Sequence, residues 1–151
     1  MPTIIHERIR LSRERKCPSL MCQMPSGFLL IGETQPVPGY CVLLSDPSAP
    51  HLNALASDGQ VAFLQDMSRV GQVLLEVLPA LRINYEILGN VVPALHGHII
   101  PRFANEDEDK RLLSIFCGYR LNELPPTDLT VAAPLMAKIR DKLQERSWAK
   151  M

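Results

Sequence analysis

Asn90-Val91-Val92-Pro93-Ala94-Leu95-His96-Gly97-His98-Ile99-Ile100-Pro101-Arg102 is the stretch on which the fold turns. His96 and His98 stand two apart in an apolar run, so on a strand both imidazoles leave the same face. The preceding Ile83-Asn84-Tyr85-Glu86-Ile87-Leu88-Gly89-Asn90 alternates in polarity and closes on a Gly-Asn turn signal. The pattern gives strands over 82–88 and 95–103 joined by a turn, with two imidazoles near its lip. Such a pair can divide a reaction: one ring attacks or binds an anion while the other donates a proton or a hydrogen bond. Two histidines in a half-buried strand can also be plain core or surface residues, and that alternative stands beside the chemical one.

With Gly89 included, the run resembles the signature of the histidine-triad (HIT-like) nucleotide hydrolases and transferases. There His-φ-His-φ-His-φ-φ, with φ apolar, follows a Gly-Asn/Gln-polar-φ-Pro-like turn, and residues 89–102 align with it without a gap. His96 and His98 match the second and third histidines, and Ala94 replaces the first. The resemblance implies that His96 is the nucleophile that takes up a nucleoside monophosphate. It implies that His98 contacts the phosphate and helps the leaving group. In the family the backbone carbonyl of the first histidine commonly holds the nucleophile's other ring nitrogen, and Ala94 keeps that carbonyl. Val91 stands where a Ser, Thr or Gln often bonds a phosphate oxygen, so only its backbone N–H remains. Losing one such donor typically costs ~3 kcal/mol of transition-state stabilisation. Gly97 replaces a bulkier apolar residue, which lets a substrate or another backbone approach closely.

The resemblance extends to four weaker positions. His51 matches a histidine that lines the nucleotide pocket in many members; it reads equally as a surface histidine in a loop. Asp46, at the end of a strand over 40–45, stands near where members place ribose contacts. Asn84, facing out of its strand, is a candidate phosphate or ribose contact. Asn90 can bond phosphate or simply satisfy a left-handed turn, which Asn tolerates. Arg102 could attract anions, but an Arg after a proline at a strand end reads more often as a solvated surface charge.

Some histidine-triad proteins bind zinc through an N-terminal Cys-x-x-Cys pair, a histidine before the long helix and the first histidine of the triad. Cys17 and Cys22 are spaced more widely here, and Ala94 supplies no ligand. A structural zinc wants four protein ligands and this chain offers Cys17, Cys22 and His51 at most, so no metal or other cofactor is expected. Cys41 and Cys117 sit in apolar surroundings and read as packing residues.

Composition fits a globular chain: 151 residues, 46% hydrophobic, with 16 basic and 16 acidic side chains. The size prior gives one domain over 1–151, with a core at about 25–105 and a C-terminal helical extension at about 124–150. A balanced charge argues against a nucleic-acid surface, and with no zinc finger it disfavours a DNA-deadenylating enzyme of this superfamily. No apolar run approaches the ~18 residues of a membrane span, and Met1 to Arg10 lacks the apolar core of a secretory signal. A cytoplasmic protein with free thiols is the expectation.

Along the chain, residues 4–16 suggest a short helix, and 28–32 and 40–45 two strands of a hairpin with a Pro-rich loop. Ser57-Asp58 suggests the cap of a helix that stops at Pro79. Its stripe of Val61, Leu64, Met67, Val70, Leu74, Val77 and Leu78 is core or a subunit contact. Residues 105–110 read as a solvated acidic loop. A last helix is expected over about 131–146, capped by Thr130, with Pro134 in its first turn and Leu135, Met136, Ile139 and Leu143 inward. The fold class is α+β, an antiparallel sheet with helices; the resemblance implies the same sheet, usually in a homodimer through the long helix and a strand. Its implied activity is nucleotidyl transfer or hydrolysis at the α-phosphate of a purine nucleotide or dinucleoside polyphosphate, through a covalent nucleotidyl-histidine. The leading alternative is a nucleotide-binding module that has lost turnover. A dimeric scaffold with structural histidines is the other.

Overall fold

The computed structural model describes residues 2–150. Five short runs, β1 (Leu20–Met24), β2 (Gly27–Ile31), β3 (Cys41–Ser45), β4 (Arg82–Glu86) and β5 (His96–Arg102), form one sheet in the order β1-β2-β3-β5-β4. Every neighbouring pair is antiparallel. All five residues of β2 are buried, because the sheet is covered on both faces.

One face carries Leu29, Ile31, Cys41, Leu43 and Ile99. It is closed by α2 (Ser57–Val77) and α5 (Leu129–Glu145), which bring Phe63, Met67, Val70, Val73, Leu74, Ile139 and Leu143. The other face is covered in two pieces. Helix α1 (Ile4–Arg13) lays Ile5 and Ile9 on Phe28, Leu30, Leu44 and Ala94. The chain after β5, with α3 (Glu108–Arg111), α4 (Ile115–Gly118) and a 3-10 turn at Leu121–Glu123, packs Ile115 with Tyr40, Ile100 and Phe103. Between these two covers the sheet stays open.

The α+β antiparallel architecture matches the sequence reading; several details do not. Strand β1 was not expected: Leu20 to Met24 has no β-branched residue and lies between Pro18 and Pro25. The turn joining it to β2 is held by Asp66 of α2, whose buried carboxylate accepts from Ser26 N–H at 2.8 Å and Ser26 Oγ at 2.5 Å. Strands β4 and β5 are shorter than expected, at 82–86 and 96–102. Ser57-Asp58 is not the cap of α2. Ala56 holds that position with no side-chain bond, and Asp58 instead accepts from the N–H of Gly59. Thr130 is not the cap of α5 either; Asp128 accepts from the N–H groups of Thr130 and Val131, so Pro134 lies in the second turn. The apolar stripe of α2 is rotated: Val61 and Leu64 are 64% and 47% exposed, while Phe63 and Val73 fill the core.

The segment after β5 departs furthest from the reading. Residues 105–110 are mostly exposed, as read, but Glu108 opens α3 and Glu106 turns inward to Arg102, which is not a surface charge. Its guanidinium is buried, and all five of its N–H groups are engaged: Glu106 takes Nε and Nη2 (2.9 Å to Oε1), Asn84 and the Leu113 carbonyl take Nη1, and the Lys110 carbonyl takes Nη2. Glu106 also accepts from Phe103 N–H and Tyr119 Oη. A cation buried among this many acceptors folds the chain back over the sheet. Cys41 is buried, as expected of a packing residue, whereas Cys117 is exposed.

Candidate active site

The β3–β5 register builds the site. Val42 pairs with His98 and Leu44 with His96, so both imidazoles leave the open face, 4.9 Å apart between ring centroids. Tyr40 lies two residues before Val42 and therefore on the same face. Its hydroxyl meets His98 Nδ1 at 2.7 Å. Phe116 of α4 stands edge-on to the His98 ring at 4.8 Å. A cavity of about 810 Å³ opens in front of the pair, walled by α1 and by residues 121–129. Its walls are mostly aliphatic, with Leu30, Val42, Leu44 and Val92 among them, and one ion pair, Arg8 with Glu33, lies along it. Burial pulls the Arg8 guanidinium below its ordinary value.

His96 Nδ1 lies 2.6 Å from the Ala94 carbonyl oxygen. A carbonyl can only accept, so Nδ1 carries the hydrogen and, in the neutral ring, Nε2 holds the lone pair. Burial, with His96 adding its charge, pushes His98 down to about 4, so the ring is neutral near pH 7. Burial also raises the Tyr40 phenol, which stays protonated.

The residues singled out in the sequence do not all gather here. His96 and His98 do, and Ala94 contributes its carbonyl. Its side chain, however, is fully buried in the cluster that Ile5 and Ile9 of α1 form with Phe28, Leu30 and Leu44. Val91 is 93% exposed and lies outside the cavity wall, where Val92 takes its place. Asn90 is exposed, and the left-handed turn residue is Gly89 with φ +74°. Asp46 pairs with Arg13 of α1, His51 is an exposed residue opening a 3-10 turn, and neither lines the cavity. Asn84 shares the histidine face but is bound to Arg102 at 2.9 Å, two residues along β4 from the row of His98. Gly97 faces away from the cavity. A Cβ there would lie 2.6 Å from Met67 Sδ and Cε, so the close approach is that of α2 and not of a substrate. Cys22 is buried in the core, its thiol pushed up to about 12 by burial, and Cys17 sits apart in the cavity wall. The described residues therefore bring no group of three metal-ligating side chains together.

Sequence reasoning missed Tyr40. The alternation of Tyr40, Val42 and Leu44 marks it as facing one way, but only the β3–β5 register reveals that this way is toward His98.

The order of strands, the helix behind the sheet and the paired histidines at the mouth of β5 can be compared with solved structures. A histidine triad protein from Bradyrhizobium japonicum superimposes with a TM-score of 0.69 at 22% identity, over 87% of this chain and 94% of that one. This is the histidine-triad fold. A second histidine triad protein, from Sinorhizobium meliloti, gives 0.70 at 18% identity over 87% and 92%. The diadenosine triphosphate hydrolase of Plasmodium falciparum gives 0.59 at 14% identity, over 85% of this chain and 78% of that one. No family model matches the sequence, and no curated protein matches it. Among the described residues no helix is long and apolar enough to cross a membrane.

Proposed function

We propose that this chain is a histidine-triad nucleotide hydrolase or nucleotidyl transferase. It acts at the α-phosphate of a nucleotide ester, anhydride or phosphoramidate through a nucleotide bound covalently to His96. The observation that carries this reading is the 2.6 Å contact between His96 Nδ1 and the Ala94 carbonyl. It fixes the ring so that Nε2 offers its lone pair to the cavity, which is what a nucleophilic imidazole requires. The substitution of the first histidine by Ala94 leaves that contact intact. The hydrolase from Plasmodium falciparum, with the same fold, supports a nucleotide as the substrate class.

In this reading His96 Nε2 attacks the α-phosphorus, and the bond to the leaving group breaks with its electron pair going to that group. His98 faces the same cavity and assists the departure. Water or another acceptor then attacks phosphorus, and the bonding pair returns to His96 Nε2. The protein's own hydrogen-bonded side chains position the reactants, and no step calls on a metal or cofactor. Exposed Val61, Leu64 and Leu75 on α2, with Tyr85 on the edge strand β4, support a homodimer, which sedimentation velocity would read as twice the 16.9 kDa chain mass.

The test is release of AMP from AMP-morpholidate and from diadenosine polyphosphate by the protein and by His96→Ala. Loss of release in the variant by about a thousandfold or more is expected for a covalent nucleophile. Unchanged release would end the reading. Nucleotide binding without release by the parent protein would favour the module that binds and does not turn over.

A further inference from the structure

The residue before β3 is built to bring a phenol to His98. The Tyr40 ring lies over Gly32, where a Cβ would come within 2.5 Å of Tyr40 Cδ2, so the missing side chain makes the room. The Tyr40 carbonyl accepts from Gly32 N–H at 2.8 Å and from Gln35 Nε2 at 2.9 Å. Gln35 Oε1 in turn accepts from Gly39 N–H at 2.9 Å. Held in this way, the buried phenol meets His98 Nδ1 at 2.7 Å. The groups that face His98 are His96 from its own strand, Tyr40 from the approach to β3, Glu86 from β4 and Phe116 from α4. Phe116 has no polar atom to offer. Glu86 takes the Ser114 hydroxyl on Oε1 at 2.5 Å, and its Oε2 meets no donor among the described residues, so it does not bond the imidazole. Among the described residues the Tyr40 hydroxyl is therefore the one polar group at His98 Nδ1, and Nδ1 is the one acceptor at that hydroxyl. A phenol carries a single hydrogen. Were Nδ1 to donate, that hydrogen would be left unpaired inside a buried residue, which is costly. Donation by the phenol satisfies both groups with one bond, and in the neutral ring the imidazole hydrogen then sits on Nε2. Burial keeps His98 neutral near pH 7, so this is the form present there.

We propose that Tyr40 is a positioning residue that fixes His98 as the Nε2–H tautomer, opposite to the tautomer of His96. This rests on the reaction proposed above. The two rings stand 4.9 Å apart between centroids. One offers the cavity a lone pair and its neighbour offers a hydrogen, and the roles cannot exchange while the Ala94 carbonyl and the Tyr40 hydroxyl hold them. As His96 Nε2 attacks, negative charge gathers on the phosphoryl and leaving oxygens. The His98 Nε2–H meets that charge as a preorganised hydrogen-bond donor. His98 keeps its hydrogen through both steps, and no proton passes between Tyr40 and His98.

Nitrogen-15 spectra of the His98 ring read the tautomer without turnover. The parent protein should show Nε2–H and an unprotonated Nδ1 shifted upfield by the bond it accepts. In Tyr40→Phe that Nδ1 signal should move downfield, toward its unbonded position. Nδ1–H in the parent protein, or an Nδ1 signal that does not move in the variant, would overturn the proposal. AMP release from diadenosine polyphosphate reads the consequence. Tyr40→Phe should lower kcat about tenfold or more. In a His98→Gln background, where the side-chain amide donates a hydrogen and has no tautomer to set, the same Tyr40→Phe change should cost almost nothing further. An equal loss in both backgrounds would mark Tyr40 as a packing residue and overturn the proposal. If the parent protein releases no AMP, the proposed function fails, while the ring spectra still decide the role of Tyr40.

Discussion

The two sides of β5 obey different rules. Toward α2, Gly97 and Ile99 meet Met67, Phe63 and Val70 in a dry contact where position is set by shape, and the missing Cβ of Gly97 sets how near the helix comes. On the opposite side His96, His98 and Arg102 are each fixed by a named hydrogen bond, to Ala94, to Tyr40 and to Glu106. The dry side tolerates any filling of the right volume; the polar side depends on individual partners being present. A single strand can hold a pair of imidazoles rigidly because one side anchors it and the other orients them.

The sharpest way to break the comparison is Arg102→Ala. It strands the Glu106 carboxylate and leaves the Leu113 and Lys110 carbonyls without their donor. Removing one member of a buried pair costs about 3–5 kcal/mol, to be read from the denaturant midpoint at constant slope. A loss below 1 kcal/mol would show that the polar side depends on shape after all. Arg102→Lys should rescue little, since three donors cannot serve the positions five occupy.

Next comes the pH dependence of His98. Its folded value lies near 4 against 6.5 for the free side chain. Between those values the unfolded chain binds the proton and the folded chain does not. Stability is therefore full above about pH 6.5 and falls as pH drops toward 4, by on the order of 3 kcal/mol for this group. His98→Asn should flatten that part of the pH–stability curve; an unaltered slope would mean that the ring is not held neutral.

The smallest effect belongs to the dry side. Gly97→Val places a branched side chain against Met67 and Phe63 and should cost about 1–3 kcal/mol through overpacking. Because the nearest atoms belong to the flexible end of Met67, nucleotide binding should persist. A variant that stays stable but loses binding would mean that Gly97 faces the ligand.

What could be read in the sequence follows the same division. The histidine pair, its strand and the α+β class came from local periodicity, which two-residue alternation and a helical stripe report directly. The rotation of the α2 stripe did not, because Phe63, Val73 and Leu75 make that helix apolar on several sides and only packing selects among them. Tyr40, Glu86 and the engagement of Asp46 by Arg13 depend on register and on where α1 lies, contacts that join residues dozens of positions apart. Arg102 looked like a surface charge because the acceptors that bury it come from a later segment that folds back over the strand.

The central claim is that His96 carries the nucleotide. Intact-mass spectrometry after acid quench of the protein with AMP-morpholidate tests it most directly, with His96→Ala alongside. The account predicts a transient adduct of one nucleoside monophosphate on the parent chain, mapped to His96 and absent from the variant. An adduct that persists in His96→Ala, or AMP release by the parent chain without any adduct, would contradict it.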